Sequence, residues 1–265
     1  LSERLDAVSN VFCLNSRKWI EAAGTNAFNP KLLYMGKVPF SNQVFFEAVN
    51  DIQYALSGLA GDARKLIVLD LDDTLWGDIV GDVGWENIRL GGHDHIGEAY
   101  VDFQKSLKNM TKRGVILGIV SKNEEAVALE AIQKHPEMML RLEDFAGWKI
   151  NWHDKAQNIV DLSSDLGIGL QSVVFIDDNP VERARVRDAL PEVLVPEWPK
   201  DTMLYKKSLC SLGCFDVSRI SDEDLSRSDM YVSERKRKNL KKKVGSLDEW
   251  FESLDNRVRV EVLND

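Results

Sequence analysis

The chain has little cysteine: three residues in 265, namely Cys13, Cys210 and Cys214. An odd number without a metal-ligand framework makes neither a disulfide scaffold nor a thiolate metal site, so a reducing compartment suits it. No secretory signal with a cleavage site is recognisable, and a cytoplasmic location is expected. Long apolar runs are missing too. Although 44 % of the residues are hydrophobic, no stretch approaches the roughly 18 residues of a membrane span, which predicts a soluble chain with no membrane partner. Positive charge is not in excess, with 34 Lys and Arg against 43 Asp and Glu and a net charge of −9. Such a balance cannot broadly neutralise phosphates and argues against a general nucleic-acid binder. A Gly-rich loop ending in Lys-Ser/Thr is also lacking, which removes a P-loop nucleotidase. The first residue is Leu rather than Met, and the expectation is a piece of a larger multidomain protein.

What the chain does have is acid in an unusual place. "KLIVLDLDDTLWGD", Lys65 to Asp78, follows an apolar run with Asp70, Asp72, Asp73 and Asp78. Carboxylates this close repel one another and are not buried unpaired, so a cation is expected among them.

Apolar runs recur at 66–70, 115–120, 146–151, 173–177 and 193–195. Their apolarity is continuous rather than alternating, as in strands covered on both faces. Between them Gly97–Lys112 carries Tyr100, Phe103, Leu107 and Met110 at helical spacing, and Glu124–Lys134 and Asp154–Leu166 behave likewise. This predicts an α/β fold: a three-layer, doubly wound parallel sheet over 61–204. Residues 1–60 read as the tail of a preceding unit with a lead-in helix, Phe45–Leu59. Residues 205–265 read as a helical extension whose basic block, Arg235–Lys243, is a solvated helix face or a dock for an acidic partner. The four histidines, His93, His95, His135 and His153, show no metal-ligand spacing.

Ligands in such folds bind beyond the carboxyl ends of the strands. Asp70, Ser121, Asp177 and Asp178 sit at those ends, and Lys155 opens a helix just after one. Several carboxylates with a carbonyl suit Mg²⁺, with Asp70 and Asp72 from one strand and Asp177 or Asp178 from another. A calcium loop fails at Leu75, where glycine is needed, and at Gly81, where a bidentate glutamate is needed. A carboxylate beside Mg²⁺ can attack phosphorus, a second can move the leaving-group proton, and a hydroxyl and a lysine can bind the phosphoryl oxygens. Ser121 alone also reads as a helix cap.

"DLDDT", "IVSKN", Lys155 and "VFIDDNP" together resemble the haloacid dehalogenase (HAD) superfamily of phosphotransferases. The resemblance implies Asp70 as nucleophile, Asp72 as general acid/base, Ser121 and Lys155 as phosphate binders, and Asp177 and Asp178 as metal-site acids. Between Thr74 and Val115 there is room for a small flap but no cap domain, which favours a bulky or protein-borne substrate.

The longer set "LDLDDTLWGDIVGDVGWENIRLG", "SKNEEAV", "HPEMML", "INWHDKAQNI" and "VFIDDNPVERARVRDALPEVLVPEWP" is similar to the FkbH-like family. That resemblance implies dephosphorylation of 1,3-bisphosphoglycerate and transfer of a glyceryl or lactyl unit to the phosphopantetheine thiol of an acyl carrier protein in a polyketide synthase. Where the acyl group rests on a cysteine, Cys210 and Cys214 are the candidates, since Leu75 follows Thr74. Two positions depart from the family pattern: Asp73 where Asn is common, and Asp78 where Gly is common. A stand-alone phosphomonoesterase and an idle carrier-docking module are the competing readings.

Overall fold

The computed structural model describes residues 13–92, 94–216 and 222–243. Four of the apolar runs become strands: β1 (Leu66–Leu69), β2 (Ile116–Ser121), β3 (Phe145–Ile150) and β4 (Val173–Ile176). They form one parallel sheet in the order β3-β2-β1-β4. Every residue of β1, β2 and β4 is buried, as continuous apolarity requires when helices cover both faces. The expected α/β class is therefore present. The expected fifth strand is reduced to a single parallel bridge between Val174 and Leu194. Pro196 follows two residues later and has no N–H with which to extend a ladder.

The helices are α1 (Ser16–Ala23), α2 (Pro30–Gly36), α3 (Asn42–Leu59), α4 (Val80–Val83), α5 (His95–Thr111), α6 (Glu125–Lys134), α7 (Lys155–Leu166), α8 (Pro180–Ala189), α9 (Tyr205–Cys210) and α10 (Asp222–Lys243). Alternate residues of the strands feed two cores. Ile67, Leu69, Leu117 and Phe145 pack with Phe103 and Leu107 of α5 on one face. Leu66, Val68, Ile116 and Phe175 pack with Ile159 and Leu162 of α7 on the other. Gly118 and Gly147 are partners across β2 and β3, and a Cβ on either would stand 2.9 Å from a Leu162 methyl. Their bareness lets α7 lie close to the sheet, and α7 carries Lys155.

The expected lead-in helix, Phe45–Leu59, is α3, which begins three residues earlier; α1 and α3 pack together around Ala23, Ala27 and Val44, with Trp19, Ile20 and Phe40 against them. The Trp19 indole N–H donates to Asp51 at 2.8 Å. Asn15 and Asn29 cap α1 and α2 with their side chains, the usual start signal for short helices. The outer face of α3 leaves Phe45, Val49, Ile52, Leu56 and Leu59 exposed. At the other end, Tyr205, Leu209 and Phe215 are buried in the main core.

Within the basic block, Arg235 is not solvated. Its guanidinium donates to the carbonyls of Leu142 (2.8 Å) and Phe145 (2.6 Å) and lies 4.6 Å from the Trp148 ring. The side chains of 238–243 lie outside the described residues, as does His93. Among the described residues no helix is long and apolar enough to cross a membrane.

Candidate active site

Leu69 of β1 pairs with Ile176 of β4, so the next residues, Asp70 and Asp177, leave the sheet side by side. The strand order reverses here, with β2 on one side of β1 and β4 on the other, which opens the crevice that such sheets use for ligands. Asp70 is 7 % exposed and Asp177 fully buried. Lys155 begins α7 directly after the Asp154 cap, whose carboxylate accepts from the N–H groups of Ala156 and Gln157. Its Nζ lies 2.6 Å from Asp177 Oδ2 and 3.0 Å from Asp70 Oδ2. Burial works against the ammonium charge, but the two carboxylates outweigh it and raise the lysine pKa.

Asp178 joins them: carboxylate oxygens of Asp70, Asp177 and Asp178 lie within 4.8 Å of one another. One lysine against three acids leaves negative charge in excess. Burial first, and then the charge of Asp70, push Asp177 upward and Asp178 up to about 6. Three hard oxygen donors this close together, with one lysine among them, fit Mg²⁺.

The supports beneath this cluster were not visible in the sequence. Arg183, 6 % exposed, donates to the backbone carbonyls of Asp177 (2.8 Å) and Asp178 (2.7 Å). The Thr74 hydroxyl accepts from the Asp178 N–H at 3.1 Å, and Asp177 Oδ1 accepts from the Asn179 N–H at 2.8 Å.

Asp72, expected at the metal site as well, is not among those three acids. Its Oδ1 accepts from the Trp76 indole (2.9 Å) and the Val80 N–H (3.1 Å), and its Oδ2 accepts from Asn123 (2.8 Å). Burial foremost, with Asp70 and Asp73 adding their charge, lifts its pKa to about 6 against the pull of the Val80 and Trp76 hydrogen bonds. Ser121, 2 % exposed, closes β2 on the same rim. Neighbouring lysines are diverted: Lys122 meets Glu182 at 2.5 Å and Lys149 meets Asp165 at 2.7 Å.

Asp73 and Asp78 both have positive φ, 53° and 72°. This is the left-handed region, which Gly and Asn occupy at least cost. The two departures from the family pattern therefore fall on left-handed positions. Asp73 Oδ1 accepts from the Asp78 N–H, and its carbonyl accepts from the hydroxyls of Tyr100 (3.3 Å) and Tyr205 (3.0 Å).

Cys214 is not brought to this rim. The Cys214 carbonyl accepts from the Arg64 N–H, just before β1, and the Arg64 guanidinium reaches the Val173 carbonyl at the start of β4. Cys214 thus stands at the entering ends of the strands, opposite Asp70, and burial pushes its thiol up to about 12. Cys210 is exposed at the end of α9. A separate cavity of about 600 Å³ lies between the flap and α5, lined by Gly91, His95, Glu98, Asp102 and Lys206. It contains none of the strand-end acids, and the chemistry argues for the rim.

A four-stranded parallel sheet with acids at adjoining strand ends is a HAD-like Rossmannoid fold, and at that level the resemblance seen in the sequence holds. The chain is similar to the N-terminal part of protein BF1531 from Bacteroides fragilis, which contains a phosphatase domain and was crystallised with Mg. Identity is 36 % and the TM-score 0.79, over 82 % of this chain and 58 % of that one. The chain thus spans little more than half the length of that relative. Weaker likenesses are to 3-deoxy-D-manno-octulosonate 8-phosphate phosphatase from Moraxella catarrhalis (18 % identity, TM-score 0.39, 69 % of this chain and 97 % of that one) and to a HAD family enzyme from Bacteroides thetaiotaomicron (12 %, 0.36, 52 % and 95 %). At these scores they add nothing to the first. No family model and no curated protein matches the chain.

Proposed function

We propose that the chain is a Mg²⁺-dependent HAD phosphatase, and within that class an FkbH-like enzyme. Its substrate is then 1,3-bisphosphoglycerate, and the three-carbon glyceryl unit passes to the thiol of a holo acyl carrier protein; a lactyl unit, which lacks the C3 oxygen, would need a separate two-electron reduction. The observation that carries the reading is the Lys155-bridged cluster of Asp70, Asp177 and Asp178 at the switch point of the sheet.

Asp70, Asp177 and Asp178 would hold Mg²⁺, which when bound supplies positive charge to the phosphoryl oxygens. An Asp70 oxygen attacks phosphorus and the phosphate ester bond breaks. Asp72 gives its proton to the leaving oxygen, then takes one from the water that cleaves the aspartyl phosphate. Lys155 and Ser121 bind the phosphoryl oxygens. At the other end of the substrate the carrier thiolate attacks the acyl carbonyl, a C–S bond forms, and phosphate departs with the C–O electrons. Acyl phosphates are activated, so positioning suffices for that step. Placement of Cys214 behind the sheet favours direct transfer over a cysteine relay. The flap, with the four-residue α4 and a Gly77–Arg89 bridge, is too small to be a cap domain, which supports a protein-borne thiol as acceptor.

Incubation with Mg²⁺, freshly generated 1,3-bisphosphoglycerate and holo carrier protein, followed by intact mass measurement of both proteins, tests this. A glyceryl mass on the carrier, absent with Asp70→Asn, supports the reading. Free phosphate with an unmodified carrier makes the protein a phosphomonoesterase, and carrier binding without phosphate release makes it a docking module.

A further inference from the structure

Asp72 needs one oxygen free enough to carry a proton and aimed at the leaving group. Its Oδ1 is occupied twice, by the Trp76 indole and the Val80 N–H. Those donors lie four and eight residues away and belong to the turn that builds the flap. Its Oδ2 takes one hydrogen bond, from Asn123 Nδ2 at 2.8 Å, arriving from the end of β2 across 51 positions of sequence. Asn123 is 4 % exposed, and the orientation of its amide is determined: Oδ1 accepts from the Glu124 N–H at 2.9 Å, which leaves only Nδ2 to face Asp72.

We propose that Asn123 is a positioning residue that fixes Asp72 Oδ2 as the oxygen that delivers and recovers the catalytic proton. The proposal rests on the acid/base role given to Asp72 above. A doubly hydrogen-bonded Oδ1 has little lone-pair capacity left, whereas Oδ2 keeps a lone pair beside the single amide contact. A neutral donor orients that oxygen without locking the carboxylate in its charged form, as an ammonium would. The nearest ammonium in sequence, Lys122, is held away by Glu182 at 2.5 Å. "Ser-Lys-Asn" at 121–123 thus divides its work: a hydroxyl at the phosphate rim, a lysine drawn to α8, and an amide that sets the direction of the acid.

Leaving-group dependence separates this role from a merely structural one. As Asp70 bonds to phosphorus, the departing oxygen needs a proton if it is an alkoxide and hardly any if it is p-nitrophenolate. kcat/KM is measured for the full chain with Mg²⁺ on p-nitrophenyl, phenyl and alkyl phosphates, for wild type, Asp72→Asn, Asn123→Ala and the isosteric Asn123→Asp. Both Asn123 variants should lose about 10- to 100-fold more on the alkyl ester than on the p-nitrophenyl ester, with KM little changed. Asp72→Asn should show the same trend more steeply. A uniform loss across the series in both Asn123 variants, beside a steep trend in Asp72→Asn, overturns the positioning role alone. A uniform loss in Asp72→Asn overturns the acid/base reading and the proposal with it. Asn123→Asp preserves volume, so a folding failure of the alanine variant does not remove the test.

Discussion

Replacing Lys155 with methionine removes the positive charge from the cluster while keeping the length of the side chain. The lysine side chain is 4 % exposed, with Asp70 at 10 % and Asp177 at 0 %, and both contacts are at hydrogen-bond length. Deleting one member of a buried ion pair costs about 3–5 kcal/mol, because the partners keep their desolvation cost. Here the cost is capped, since Asp178 already binds a proton near pH 6 and the variant's acids can protonate further at about 1.4 kcal/mol per pH unit. We therefore expect a loss of about 3 kcal/mol at neutral pH, or a fall in Tm of roughly 6–12 °C for a chain of this size. Thermal unfolding followed by circular dichroism, in EDTA and in millimolar Mg²⁺, reads it out. The fall should be largest in EDTA, smaller in Mg²⁺, and smaller again at lower pH, while phosphate release drops by about 10²- to 10³-fold. An unchanged Tm in EDTA, or a fall that grows as pH is lowered, would refute the charge argument.

Burial lifts Asp72 and Asp178 to about 6, above the ordinary aspartate value of 3.8, so the folded state binds more protons in that window. Their contribution is present below about 3.8 and is lost as pH rises through about 6. Urea midpoints measured without metal should show it, and the stabilisation added by Mg²⁺ should grow over the same range; a flat increment would contradict this. Asp78→Gly should stabilise by about 0.5–1 kcal/mol in denaturant titrations, by relieving the left-handed strain at φ 72°. Arg183→Ala should cost about 2–4 kcal/mol through two charged hydrogen bonds to buried carbonyls and should weaken Mg²⁺ binding in calorimetry, with lysine failing to restore it. Arg235→Ala should lower Tm measurably because its guanidinium docks on the carbonyl of Phe145 in β3 and that of Leu142 just before it, whereas Lys236→Glu should leave Tm unchanged and report only on an acidic partner.

Much of the sheet was legible because buried parallel strands advertise themselves as unbroken apolar runs, and four of the five expected runs are strands. The run at 193–195 shows the limit: three apolar residues before a proline look like a strand but can sustain only a bridge. Asp70, Lys155, Asp177 and Asp178 were readable because strand-end position follows from the same pattern. Asn123 and Arg183 were not, since their partners are a side chain 51 positions away and two backbone carbonyls, and neither leaves a periodic trace. The long helix α3 was legible as Phe45–Leu59, whereas α1 and α2, of eight and seven residues, were not, since helices that short carry a weak period. Their asparagine caps were the available signal.

The pairing of β1 with β4 joins Leu66 to Val173, so the rim exists only after more than a hundred residues of intervening chain have folded back. Closing a loop of that length is slow, and non-local contacts of this kind reward the chain late. β2 can pair with β1 across half that distance, which makes β1–β2 a natural nucleus and β4 a late arrival. An ion held by Asp70 from one strand and by Asp177 and Asp178 from the other would then act as a latch on the last element to dock. It would slow the opening of that seam more than it speeds its formation.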